Sequence, residues 1–271
     1  MDLASVIGLV LCIVIVVVVL IMDGGTPAEL FSHPSSVLLI FGGSITSTMI
    51  TTSFDTVKTL PKLVVQVFTA HKFNMKESVE ILVTMADKAR REGLLALEEE
   101  ARNVKDPFLQ KGLMMVVDGV DPQQVHAILE AQIEQMQNRH RVGINFFAAA
   151  GGFAPTFGII GTVMGLISVL KQLDDPNKLA KSIAGAFLAT LWGLLSANLF
   201  FLPMAGKLKR KSELETHFRL MQMQGILSIH SGESPHIVRE KLMVFMPPVK
   251  EGKGADAEEK RPAGAAQKAR A

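Results

Sequence analysis

Charged residues are missing from four stretches of this chain, 3–22, 34–54, 142–170 and 182–206. Each approaches or exceeds the ~20 residues with which a helix crosses a bilayer. The pattern predicts an all-α integral membrane protein with spans near 3–22, 35–53, 146–170 and 182–204. Three of the stretches are built of Ile, Val, Leu, Ala, Gly and Phe. The second, with its Ser and Thr, is the most polar.

Polar segments separate the spans unevenly. Residues 23–33 join the first pair and 171–181 the second, while a long insertion, 55–141, lies between the pairs. Within it Val79, Leu82, Val83 and Ala86 recur at helical spacing, followed by Leu94, Leu95 and Leu97. Asp106-Pro107 and Asp121-Pro122 mark breaks, each with proline at a first helical position. The helix after Pro122 is expected to run into the third span, and 207–218 to extend the fourth. A short amphipathic helix is expected near 237–245. The expected divisions are 1–54 (an outer, lipid-facing pair), 55–141 (a cytoplasmic helical domain), 142–206 (an inner, channel-lining pair), 207–248 (cytoplasmic helices) and 249–271 (a disordered tail with little to bury).

Composition agrees with a membrane protein: hydrophobic residues make up 48%, too many for an ordinary soluble domain of this size. A net charge of +2 gives no footing for nucleic acid. The single cysteine, Cys12, excludes an intrachain disulfide. Met-Asp ahead of the first apolar stretch lacks a basic leader, so that stretch is read as a retained span. Lys58 and Lys62 follow the second span, Arg139 and Arg141 precede the third, and Lys207, Lys209, Arg210 and Lys211 follow the fourth. Basic flanks favour the cytoplasm. Both termini and the insertion are therefore expected inside.

No Asp, Glu, Lys, Arg or His lies in the four stretches, and intramembrane ionisable groups are the usual mark of an ion path. If the protein moves ions, a partner supplies the titrating group. Small residues are patterned instead: Gly185, Ala189, Gly193 and Ala197 recur every fourth position, as do Ala154, Gly158 and Thr162, and Gly161 and Gly165 form a GxxxG pair. Such faces let helices approach closely in lipid; they are read either as helix packing or as the lining of a space for a partner. Pro155 and Pro203 interrupt the inner pair and free the carbonyls of Gly151 and Leu199. They fit a packing kink or a moving element. Thr162 and Thr190 are expected at similar depth, each bonded to its own helix or forming oxygens beside an ion path. In the insertion, Arg90, Arg91, Glu98 and Glu99 concentrate both signs of charge, and two helical turns would set Arg90 and Glu98 on one face. Solvated surface and docking surface are the two readings. No cluster of nucleophile, base or metal ligands stands out, so neither an enzyme nor a metal site is expected.

The segment 89–98 (ARREGLLALE), the run 154–166 (APTFGIIGTVMGL), residues 186–191 (AFLATL) and Pro203 together resemble the flagellar motor stator A subunit, the MotA/PomA family of the wider MotA/TolQ/ExbB group. The likeness covers residues 1 to about 248. It implies a ring of five A subunits around a dimer of a MotB/PomB-like B subunit, which carries the ion-binding Asp. It also implies a FliG-like rotor switch protein as partner, with Arg90 and Glu98, and secondarily Arg91 and Glu99, as rotor contacts. Pro155 and Pro203 match prolines coupled to ion flow. No cofactor is implied, only a transported proton or sodium ion. Thr162 stands where sodium-type members carry Thr and many proton-type members Ala; Thr190 occurs in both. The alternative within the group is an ExbB/TolQ-like subunit energising another envelope process, against which the first span pair and segment 89–98 argue. A transporter with substrate between broken helices would call for an inverted repeat, which the sequence lacks.

Overall fold

Twenty uncharged residues with no internal proline form one helix, α1 (Leu3–Met22). Asp2 caps it, its carboxylate accepting from the Ser5 amide at 3.3 Å, one of the donors that a helix start leaves unpaired. The computed structural model describes residues 2–69, 73–171 and 176–246, and all regular structure among them is helical.

A 3-10 turn (Pro27–Phe31) leads to α2 (Pro34–Ile50), which ends where the Thr51 and Thr52 hydroxyls fold back onto the Thr48 carbonyl at 2.8 and 3.0 Å. α3 (Phe54–Phe68), α4 (Met75–Glu92), α5 (Glu98–Asn103) and α6 (Pro107–Val117) follow. Then comes α7 (Pro122–Leu170), a single helix of 49 residues. α8 (Pro176–Leu195), a π-helical segment (Ser196–Phe201) and α9 (Leu202–His230) make one further run, and α10 (Pro235–Met243) completes the described chain. Both proline-marked starts fall as expected. Asp106 Oδ1 accepts from the Phe108 amide at 3.0 Å and Asp121 Oδ1 from the Gln123 amide at 2.8 Å. The expected tail, 249–271, lies outside the described residues.

Three of these helical runs are long and apolar enough to cross a membrane: Ser5–Met22, Pro122–Leu170 and Pro176–His230. α2 has 17 residues and spans about 26 Å, less than the ~30 Å of hydrocarbon. Three of its polar residues are buried against the rest of the chain, while Ser35 and Thr46 are exposed. Ser36, Ile40, Ser44 and Thr48, each four residues from the next, are its buried face. Thr48 donates to the Ser44 carbonyl at 2.8 Å, which satisfies its hydroxyl within the helix.

The chain divides into two compact units, residues 1–73 with 126–220, and residues 74–125 with 221–271. In the first, Ile40, Phe146, Phe147, Ala150, Ala154, Ala197, Phe201 and Leu208 form the core. Val67 joins them, so α3 groups with the apolar helices. The single tryptophan, Trp192, donates its indole N–H to the Leu30 carbonyl at 2.7 Å, which fixes α8 to the Pro27–Phe31 turn.

In the second unit Val79, Leu82, Met85 and Ala86 of α4 are buried, as are Leu109, Leu113 and Val116 of α6 and Ile226 and Ile229 of α9. Gln222 is fully buried and donates to Asp106 Oδ2 at 3.1 Å. One carboxylate thus caps α6 with one oxygen and satisfies a buried amide with the other. Arg239 holds α10 to α4 by a two-pronged pair with Glu80 at 2.6 and 2.7 Å. The hydrogen bonds from Arg239, and then its charge, keep the Glu80 carboxyl below its ordinary pKa.

Candidate functional site

The charged segment of the second unit is not one helix. α4 ends at Glu92 because Gly93 takes φ +88, a conformation that side-chain-bearing residues rarely adopt. A 3-10 turn (Leu94–Leu97) follows and α5 starts at Glu98. The expectation that two turns of a single helix align Arg90 with Glu98 is therefore corrected: the two charges sit on separate helices. Leu97, fully buried, anchors the junction between them, while Leu95 is 76% exposed.

Each end of the junction carries charge suited to its helix dipole. Arg90 and Arg91 occupy the last turn of α4, and Glu98, Glu99 and Glu100 the first turn of α5. Arg90, Arg91, Glu98 and Glu99 are all exposed. Arg91 pairs with Asp87 at 2.9 Å and Glu98 with Arg102 at 2.7 Å, both within their own helices. Lys88 bonds Glu100 across the junction, raising the lysine pKa and lowering that of the carboxyl, chiefly through the hydrogen bond. The result is a rigidly seated, two-signed surface.

In the first unit the patterned glycines are turned toward helix neighbours. A Cβ on Gly193 would lie 2.9 Å from the Ala154 carbonyl oxygen and 3.0 Å from the Gly158 Cα. One on Gly158 would lie 3.1 Å from the Ala189 carbonyl oxygen. Those on Gly161 and Gly165 would meet the Cβ atoms of Ala189 and Ala186, at 2.7 and 2.6 Å. α7 and α8 therefore touch backbone to backbone, the close approach that small residues permit. Gly185 faces the His33 ring instead, at 2.6 Å. These glycines serve packing within the chain. The side of α8 left open runs through Ala184, Phe187, Leu191 and Leu194, and continues to Asn198 of the π segment.

The α7–α8 contact brings Thr162 and Thr190 together. Their hydroxyls are hydrogen-bonded to each other, and Thr162 Oγ1 also lies 3.1 Å from the carbonyls of Gly158 and Ala186. Thr162 is thus bonded both to its own helix and across to the next. The two prolines are also linked through their neighbours. A Cβ on Gly151, one turn before Pro155, would lie 2.7 Å from Leu202 Cδ2 and 3.3 Å from Phe201 Cβ, just ahead of Pro203. Pro155 sits inside the unbroken α7. Ahead of Pro203 the chain widens into π geometry, the Leu202 amide bonding the Ala197 carbonyl five residues back. A π segment, not a simple kink, accommodates that proline.

One cluster was not anticipated. Lys207 pairs with Asp2 at 2.6 Å, and the Asp2 amide bonds the Phe68 carbonyl at 2.9 Å. Lys211 donates to the carbonyls of Gln66, Val67 and Thr69, the free end of α3, with Val67 at 3.2 Å. Burial and then the charge of Lys207 pull the Lys211 pKa down. Only the order Asp2-Leu3 and the basic run at 207–211 could have signalled it.

Residues 6–93 match the Motility protein A N-terminal family, and residues 100–221 the MotA/TolQ/ExbB proton channel family. Motility protein A of Bacillus subtilis is 36% identical over 248 residues, covering 91% of this chain and 92% of the relative. The structure of C. jejuni MotAB superposes with a TM-score of 0.87 at 33% identity, covering 93% of this chain and 98% of that one. That of the flagellar MotAB stator complex from Bacillus subtilis gives 0.84 at 35% identity, over 90% and 96%. This multi-pass membrane protein belongs to the MotA/TolQ/ExbB proton channel family, and within it to the motility protein A group of flagellar stator subunits, which conduct ions and are not enzymes.

Proposed function

We propose that five copies of this chain surround two copies of a MotB/PomB-like B subunit, and that ion flow through the assembly turns the ring against a FliG-like rotor switch protein. One observation carries the reading: the apolar stretches hold a cross-helix hydroxyl pair, Thr162 and Thr190, and no Asp, Glu, Lys, Arg or His. A carboxylate brought by a partner helix completes such a site without a competing charge. The open side of α8, with Phe187 and Leu194, is the surface offered to that helix. The similarity to two MotAB complexes supports the same partner.

In this reading α2 also crosses the membrane, as the second of four spans, its short length met by local thinning of the bilayer. Residues 1–54 are the outer pair, 142–206 the inner pair, 55–141 the cytoplasmic torque domain and 207–248 further cytoplasmic helices. Basic flanks put both termini inside. A cysteine introduced at Val120, in a Cys12→Ser background, is expected to resist membrane-impermeant maleimide added from outside. Rapid labelling of intact cells would overturn the topology.

The transported ion is sodium. Sodium exchanges its hydration shell for oxygen ligands, and the Thr162 hydroxyl lies within hydrogen-bond length of both the Thr190 hydroxyl and the Ala186 carbonyl. Thr162→Ala removes the member that touches both others. Swimming speed in this variant is expected to lose its sodium dependence and fall at least tenfold, the ~1.4 kcal/mol expected of one lost hydroxyl ligand. Unchanged speed in the variant, or full wild-type speed without sodium, would return the ion to a proton.

A further inference from the structure

An apolar groove of about 420 Å³ opens along α1, between that helix and the π segment with the start of α9. Its size falls within the roughly 300–1,000 Å³ of ordinary ligand sites. Ser5, Gly8, Leu9 and Cys12 form one wall, and Leu199, Pro203 and Met204 the other. At one end stand Lys207 and Arg210. From Ser5 to Cys12 the wall runs about 10 Å along the helix, starting within one turn of the Asp2–Lys207 pair at the edge of the uncharged stretch. The cations therefore lie at the boundary of the apolar span and the groove leads from them into it.

Two glycines mark this groove as open space. A Cβ on Gly8 or on Gly206 would meet nothing within 4 Å, in contrast to Gly158 and Gly193, which are closed against backbone. The two basic residues also differ. Lys207 is committed to Asp2 at 2.6 Å, whereas Arg210 meets Glu213 only at 3.7 Å and its side chain is 68% exposed. With Asp2 matched by Lys207, and Lys211 adding its own charge nearby, the mouth keeps an excess of positive charge. A span from a second copy would be a poor occupant, because the apolar stretches carry no carboxylate to face Arg210.

We propose that this groove holds one anionic phospholipid, an acyl chain lying along Gly8, Leu9 and Cys12 and the phosphate meeting Arg210. Basic pockets between membrane helices recognise anionic headgroups in this way, by a charge at the interface and an apolar slot beneath it. The proposal rests on α1 lying in the membrane and not on the stator reading. Its test is therefore independent of motility.

Cys12, the only cysteine of the chain, is exposed and lies in the groove. It reports on occupancy directly. The full-length protein, purified in mild detergent, is treated with N-ethylmaleimide in the presence of phosphatidylglycerol or phosphatidylcholine. Phosphatidylglycerol is expected to slow modification, and Arg210→Glu to weaken that protection roughly tenfold or more, since reversal removes one attraction and adds a repulsion. Gly8→Leu, whose Cβ would meet nothing within 4 Å and whose side chain adds bulk to the groove wall, is expected to abolish retention of phosphatidylglycerol in native mass spectra. Arg210 is exposed, so the Arg210→Glu protein is expected to fold, which circular dichroism checks. Equal protection by both lipids overturns the headgroup assignment, as does protection that survives Arg210→Glu. A Cys12 that stays unreactive without any lipid means that a neighbouring copy fills the groove, and overturns the site altogether.

Discussion

Gly193→Leu is expected to remove the assembled complex from the membrane. The site leaves no room: the new Cβ alone would stand 2.9 Å from a carbonyl oxygen and 3.0 Å from a Cα, both backbone atoms of α7. No rotamer relieves such a contact, so the helices must separate. Overpacking a close interface costs about 1–3 kcal/mol. Here separation also breaks the hydrogen bonds by which Thr162 reaches Ala186 and Thr190. Native mass spectrometry reads the outcome, with five copies to two B subunits expected for the unaltered protein and no complex for the variant. A variant of wild-type abundance and mass would show that α7 and α8 separate freely, and the close packing would not govern assembly.

Charge reversal at Arg90 or Glu98 is expected to stop rotation while leaving the complex intact. Both side chains are exposed, and the one ion pair at stake, Glu98 with Arg102, lies within a single helix. Such a pair contributes about 0–1 kcal/mol, too little to unfold the unit beneath, which is held by buried Leu82, Leu97 and Leu113. Tethered-cell rotation and membrane abundance, measured together, separate the two roles. Loss of rotation at normal abundance, rescued by an opposite reversal on the rotor, makes the surface a docking site. Loss of abundance makes these residues structural.

Helical periodicity announced most of the architecture. The uncharged stretches gave α1 and the apolar half of α7, and Asp-Pro pairs gave the starts of α6 and α7, because a capping carboxylate and a proline act locally. What periodicity lacks is the identity of the opposing surface. It marked Gly158 and Gly193 as one small face, but not that the two faces close on each other. It also left the Ser36, Ser44 and Thr48 row unread, since a polar row in an apolar helix shows only that something other than lipid lies opposite. Gly93 was missed for a different reason. Good helix formers surround it, and its +88° φ goes with the burial of Leu97 four residues on, a tertiary contact that periodicity does not show. At the candidate site, residue types were legible and partners were not: Thr162 is bonded across helices and Arg90 is on a different helix from Glu98.

The π segment at Ser196–Phe201 has a consequence for everything that follows it. A π turn takes in one residue more than an α turn, so side chains beyond Phe201 are carried about 100° around the helix axis from where an uninterrupted α-helix would aim them. In the observed phase Lys207 meets Asp2 and Lys211 meets the end of α3. In the uninterrupted phase both ammonium groups would swing off those partners at once. The inserted residue therefore acts as an angular offset between the apolar and polar halves of one continuous helix, and deleting a single residue from 196–201 would reset it.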